Sequence, residues 1–113
     1  MKSRRILSAV AFALVAGYGV VLYAGPEHPS ALFKQYCAKC HGEDGKAETA
    51  RGKKLMARNF TDAEFQAAKT DAQLIKTVTE GDEDMPPFGK KLTKEQIESL
   101  VKNDVRGFAP RKK

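Results

Sequence analysis

The pentapeptide Cys37-Ala38-Lys39-Cys40-His41 constrains this chain more than any other feature. Two cysteines separated by two residues, followed at once by histidine, form the spacing that attaches a c-type haem. On one turn of helix, Cys37 and Cys40 stand three residues apart on a common face. Each thiol can then add to one vinyl group of a single porphyrin. His41 follows directly, so its imidazole can swing under the ring and ligate the iron. The rival readings lack their other parts. These are the only two cysteines in the sequence. A thioredoxin-like redox pair needs a βαβ pattern around it, and none is visible. A structural zinc site needs four ligands, and beyond Cys37, Cys40 and His41 only His28 remains as a nitrogen donor.

The 113 residues divide into two parts. Lys2, Arg4 and Arg5 precede an uncharged, mostly apolar run over residues 6–24, the architecture of a secretory signal. A cut after Ala24 leaves a small residue at −1 but Leu22 at −3. The run also approaches the roughly 20 residues that span a bilayer. Residues 1–24 are therefore read as a signal peptide or an uncleaved N-terminal anchor. Either way, residues 25–113 form the domain and lie outside the cytoplasm, in a periplasmic setting. Without Lys2, Arg4 and Arg5 the charge falls from +6 to +3, with 17 basic against 14 acidic residues. That balance argues against a nucleic-acid binder. The Arg111-Lys112-Lys113 tail reads as a solvated end. A domain this small buries only about 60% of its unfolded surface and is marginal without a staple. A covalently held haem supplies the missing apolar area, so the haem-free chain is expected to be largely unfolded.

The periodicities are helical and no strand pattern appears. Ser30 is an N-cap ahead of a helix expected over Ala31–Cys40, with Leu32, Phe33, Tyr36, Cys37 and Cys40 on one stripe. His28 precedes Pro29 and is expected at the surface. Residues 42–59, with Gly42, Gly45 and Gly52, read as a loop along one haem edge. Arg51, Lys53 and Arg58 are candidate partners there for a haem propionate. A short helix capped by Thr61 is expected next. Thr70 and Gln73 form a capping box for a helix that Gly81 ends. The acidic, proline-locked segment Asp82-Glu83-Asp84-Met85-Pro86-Pro87 cannot be helical. Thr93 and Gln96 open a last helix, with Leu92 and Ile97 as its hydrophobic staple and an apolar stripe at Ile97, Leu100, Val101, Val105 and Phe108.

Function turns on a sixth iron ligand. One protein ligand leaves an open site for small molecules, and two close it. The candidates are Met85, Met56 and His28. Met85 sits in a rigid loop with no helical face to bury it, which suits a weak thioether ligand. Met56 is expected as core filler.

The order helix, Cys-x-x-Cys-His, glycine-rich loop, helix, Met-Pro loop, helix resembles the class I monohaem cytochrome c family. It is most similar to the small bacterial branch that includes cytochrome c6 and the haem domains of cbb3-type oxidase subunits. The matched stretches are Cys37–Gly45, Gly81–Gly89 and Leu92–Arg106. The resemblance implies an all-α fold whose first and last helices cross and pack around one covalently attached haem c. It assigns Cys37 and Cys40 to attachment, and His41 and Met85 to the iron. It implies a monomeric electron carrier, not an enzyme, that exchanges single electrons with redox partner proteins at an exposed haem edge. Lys39, Lys53, Lys54, Lys90 and Lys91 are a candidate basic rim there. Two other readings stand beside it: a small haem enzyme or gas and peroxide sensor with an open iron, and a haem subunit anchored to a membrane complex through residues 6–24. The family commonly carries an aromatic in the middle of the last helix. This chain has Asn103-Asp104, which leaves the helix crossing to Phe33 and Phe108.

Overall fold

A computed structural model of the chain describes residues 27–111. The signal or anchor assigned to residues 1–24, and Lys112 and Lys113 of the tail, lie outside the described residues. Within them the fold is all-α, with no strand. No helix among them is long and apolar enough to cross a membrane.

Ser30 caps α1 (Ala31–Tyr36), its hydroxyl accepting from the Phe33 amide. The continuous helix expected over Ala31–Cys40 is broken at Cys37. At φ −117° that residue closes α1 and opens the single turn α2 (Ala38–His41). The loop expected over 42–59 contains a further helix, α3 (Ala50–Leu55). Thr49 caps it by accepting from the Gly52 amide, while its own hydroxyl donates to the Cys40 carbonyl at 2.9 Å. One side chain thus starts α3 and ties it to α2. The three glycines masked this cap in the sequence. The next helix, α4 (Ala63–Ala68), is capped by Asp62 rather than Thr61, whose amide and hydroxyl both donate to the Asn59 side chain.

The two capping boxes form as expected. Thr70 and Gln73 start α5 (Asp71–Glu80), which ends on Gly81 at φ 76°. Thr93 and Gln96 start α6 (Lys94–Ser99). The last helix then widens to π geometry over Leu100–Val105 and tightens to a 3-10 turn over Arg106–Phe108. Its stripe of Ile97, Leu100, Val101 and Val105 is buried together with Phe33, Phe60, Leu74, Phe88 and Leu92. Leu92 and Ile97 share that core, as a staple requires.

α1 packs on the π segment of the last helix. In place of an aromatic, the crossing is made by buried Asp104, whose carboxylate accepts from the Ser30 amide at 2.7 Å and the Ser30 hydroxyl at 2.8 Å. Phe33 supplies the apolar half, 5.2 Å from the Phe108 ring and 6.4 Å from Phe60. A second tie holds the helix end. The Arg106 guanidinium donates to Asp71, to the Gln66 backbone and side-chain oxygens, and to the Lys69 carbonyl, joining it to α4 and α5.

Candidate functional site

The helices leave a cleft of about 360 Å³ between α2 and the segment that follows α5. Cys37, Cys40 and His41 line one wall. Met85, Pro86 and Phe88 line another, and Tyr36, Leu55 and Thr77 fill in between. The four residues singled out in the sequence therefore face one space, although 44 positions separate His41 from Met85.

Each is positioned by local structure. The break at Cys37 lets α2 turn separately from α1, and both cysteines are free thiols. Burial first, then the negative charge of Asp104 and the neighbouring Cys40, push the Cys37 thiol up to about 12. His41 Nδ1 lies 3.0 Å from the Arg58 carbonyl. A carbonyl only accepts, so Nδ1 carries the proton and Nε2 keeps its lone pair for a metal. The Phe60 ring stacks on the imidazole at 4.3 Å and 17°. Burial lowers the His41 pKa below its ordinary value, and the hydrogen bond to Arg58 opposes this only in part. The neutral imidazole that metal binding needs is thus favoured.

Met85 is held without a helix. Asp82 and Met85 exchange two backbone hydrogen bonds across a tight turn, the one residual β-bridge among the described residues. Gly81 makes the turn possible, because a Cβ there would sit 2.7 Å from the Met85 carbonyl oxygen and 2.8 Å from the Pro87 nitrogen. Beyond the prolines, the Phe88 and Gly89 amides return to the Val78 and Thr79 carbonyls of α5. The thioether thus projects from a loop pinned at both ends.

The other ligand candidates lie differently. His28 is exposed, as expected, and is engaged away from the cleft. Its Nε2 donates to the Asp104 carbonyl at 3.1 Å, and its ring meets Phe108 edge-on at 4.5 Å. Met56 is not the core filler expected. It ends α3 in the left-handed region at φ 55° and stands 86% exposed on the cleft rim. Its helix stops before the side chain can turn inward. Among the propionate candidates Arg58 lines the cleft, Lys53 lines an adjoining hollow, and Arg51 lines neither. None of the five rim lysines lines the cleft, although Lys91 Nζ lies 5.8 Å over the Phe88 ring. The mouth carries Asp82, Glu83 and Asp84 instead.

Two thiols, an imidazole with a free Nε2 and a thioether converge on one half-apolar cleft. That donor set fits a haem bound through two thioethers and two axial ligands.

Comparison with known proteins agrees. The family model described as "Cytochrome C oxidase, cbb3-type, subunit III" matches residues 24–102. The cbb3-type cytochrome c oxidase subunit FixP of Azorhizobium caulinodans is 34% identical over 71 residues, which are 62% of this chain and 23% of that protein. The chain thus spans under a quarter of this relative's length. Among solved structures, the KustC0563 c-type cytochrome is 45% identical with a TM-score of 0.66, over 70% of this chain and 94% of that one. A chain of the Kuenenia stuttgartiensis reducing HAO-like protein complex Kustc0457/Kustc0458 is 26% identical with a TM-score of 0.55, over 69% of this chain and 40% of that one.

Proposed function

Because this chain belongs to the cbb3-type cytochrome c oxidase subunit III family, a family of c-type cytochrome domains that carry covalent haem c, we propose that it shuttles single electrons through a haem closed by His41 and Met85. The observation that carries this reading is the convergence of Cys37, Cys40, His41 and Met85 on one cleft. Bound there, the haem supplies a one-electron ferric/ferrous couple. The protein's part is to hold that couple still. Cys37 and Cys40 tether the ring. The Arg58 carbonyl and the Phe60 face fix the plane and tautomer of His41. The turn of residues 82–85, with its return to α5, holds the Met85 sulfur. Ligands fixed by backbone hydrogen bonds need little rearrangement between oxidation states, which favours transfer over substrate chemistry. A closed iron also has no position left for a substrate, so the domain itself is not an enzyme.

Absorption spectra of the oxidised and reduced protein, with and without carbon monoxide, test the ligand set. The expected result is a low-spin spectrum with the weak long-wavelength sulfur-to-iron band, unmoved by carbon monoxide, and loss of that band with ready carbon monoxide binding in Met85→Ala. A high-spin wild-type spectrum overturns the assignment and favours the open-iron reading.

Residues 25–113 form the haem domain in this proposal, and residues 1–24 export it to the periplasmic side. The relation to an oxidase subunit favours a second form of the same function, a domain retained at the membrane through residues 6–24 and docked on a redox complex. A carbonate wash of membranes distinguishes the two: release into the wash rules out the anchor. The partner is a protein, met by a monomer at the exposed haem edge. With carboxylates at the cleft mouth and lysines outside it, the transfer rate is expected to change with ionic strength. A flat rate removes electrostatic steering from the picture.

A further inference from the structure

We infer that Arg58 serves the haem twice. Its backbone carbonyl fixes His41, and its guanidinium holds a propionate of the same haem and so sets part of the reduction potential. The inference rests on the electron-carrier reading and singles out one of the three cations that the sequence offered for this role.

Arg58 stands where two spaces meet. It lines the cleft, and it also lines the adjoining hollow of about 350 Å³, which shares Met56 and Ala57 with the cleft. Its carbonyl accepts from His41 Nδ1 at 3.0 Å, so its backbone is held at a fixed place beside the axial histidine. The guanidinium is not spent elsewhere. It makes no hydrogen bond or ion pair with another described residue, since the ion pairs there join Lys34 to Glu27 and Arg106 to Asp71. Arg106 shows the contrast, because its donors are taken by Asp71, Gln66 and Lys69. The charge of Arg58 does not depend on its surroundings, because a guanidinium stays protonated throughout the pH range of a folded protein.

A haem carries two propionates, and the parallel N–H groups of a guanidinium match a carboxylate at both oxygens. The cleft wall sorts the charges. Asp82, Glu83 and Asp84 line it next to Met85 and repel a carboxylate. Arg58 is the one Lys or Arg among the residues lining the cleft. Lys46 and Lys53 line the hollow but not the cleft. The carboxylate in that hollow, Asp62, accepts from the Glu64 amide as the cap of α4. The propionate edge therefore turns towards Arg58. A propionate left without a cation favours the ferric haem, which carries one more positive charge than the ferrous form. The guanidinium offsets that charge and raises the potential. Because Arg58 is exposed, the effect is screened by salt and is largest at low ionic strength.

Redox titration and resonance Raman spectra of the haem-loaded protein at low ionic strength test this. Arg58→Gln removes the side-chain charge and keeps the backbone carbonyl that orients His41. Its potential is expected to fall, making reduction several-fold less favourable. Its propionate bending band is expected to shift, while the low-spin spectrum and the sulfur-to-iron band stay. Arg58→Lys keeps the charge and loses the paired donors, so its band is expected to shift while its potential stays nearer the wild-type value. Arg51→Gln removes an equal charge that does not line the cleft, and is expected to move neither. An unshifted propionate band in Arg58→Gln, or an equal fall of potential in Arg51→Gln, overturns the proposal. Loss of the sulfur-to-iron band in Arg58→Gln also overturns it, because the side chain then acts on ligand geometry. If Arg58→Gln does not load haem, nuclear Overhauser contacts in the reduced, diamagnetic wild-type protein decide. A contact between the Arg58 side chain and a propionate methylene is expected, and its absence, or a contact from Arg51 or Lys53 in its place, overturns the assignment. A wild-type protein with no reversible one-electron couple fails the electron-carrier reading itself. A couple that Arg58→Gln leaves in place, with its propionate band, fails only the role of Arg58.

Discussion

Replacing Gly52 by alanine gives opposite expectations from helix propensity and from packing. Gly52 lies inside α3, where alanine in place of glycine gains about 1 kcal/mol by restricting the unfolded chain. In the fold, a Cβ at this position runs into the Cys40 carbonyl oxygen, meets the Ala47 carbonyl oxygen at 2.8 Å and the Thr49 hydroxyl at 2.9 Å. Two of the three obstacles are backbone, so no rotamer change relieves them. The Cys40 carbonyl also holds the Thr49 hydroxyl, so moving α3 away breaks the cap that starts it. Overpacking of this kind costs about 1–3 kcal/mol, and backbone obstacles place it at the upper end. After the propensity gain, the expected net loss is about 2 kcal/mol, a fall of roughly 8–16 °C in melting temperature for a domain of this size. Thermal unfolding of the haem-loaded variant, followed by circular dichroism and by the haem absorbance, measures it. Because Gly52 bears on the backbone of an attachment cysteine, both signals are expected to shift together. An unchanged or raised melting temperature refutes the close approach of α3 to α2.

Three further outcomes are expected. Arg106→Ala removes four hydrogen bonds that join the last helix to α4 and α5, and should cost about 1–2 kcal/mol in denaturant unfolding, discounted because Asp71 is half exposed. Phe60→Leu removes the ring stacked on His41, and should lower stability by about 1–1.5 kcal/mol. In an acid titration of the haem spectrum His41 should then be released at a higher pH than in wild type. The double variant Cys37→Ser, Cys40→Ser, made without haem, should show no cooperative thermal transition, and a sharp one would show that the chain's own core suffices.

Motifs whose parts lie within a few residues were readable directly. The Cys-x-x-Cys-His run needs only one helical turn to bring its groups together, and the boxes Thr70/Gln73 and Thr93/Gln96 are closed by bonds between residues three apart. The Met-Pro loop was readable because two consecutive prolines cannot continue a helix and bias the residue before them to extended backbone. Helix α3 was missed because its start signal, Thr49, was set among glycines that read as turns, and because its stability comes from docking on Cys40. The Ile97, Leu100, Val101, Val105 and Phe108 spacing already placed position 104 on the buried face. Asp104 was weighed only as a missing aromatic, and its partner Ser30 lies 74 positions away.

By itself the sequence determined the cofactor chemistry, the helical class and the starts of the helices capped by Ser30, Thr70 and Thr93, because those depend on residue type and on contacts within a turn. Only the tertiary structure decided which carbonyl orients His41, which glycine admits α3, where Met56 stands and what joins the first helix to the last. Each is a contact between residues distant in the chain, made or refused according to how closely two backbones approach. No local pattern encodes that distance. It is set by the summed packing of Phe33, Phe60, Phe108 and the last helix around the cleft.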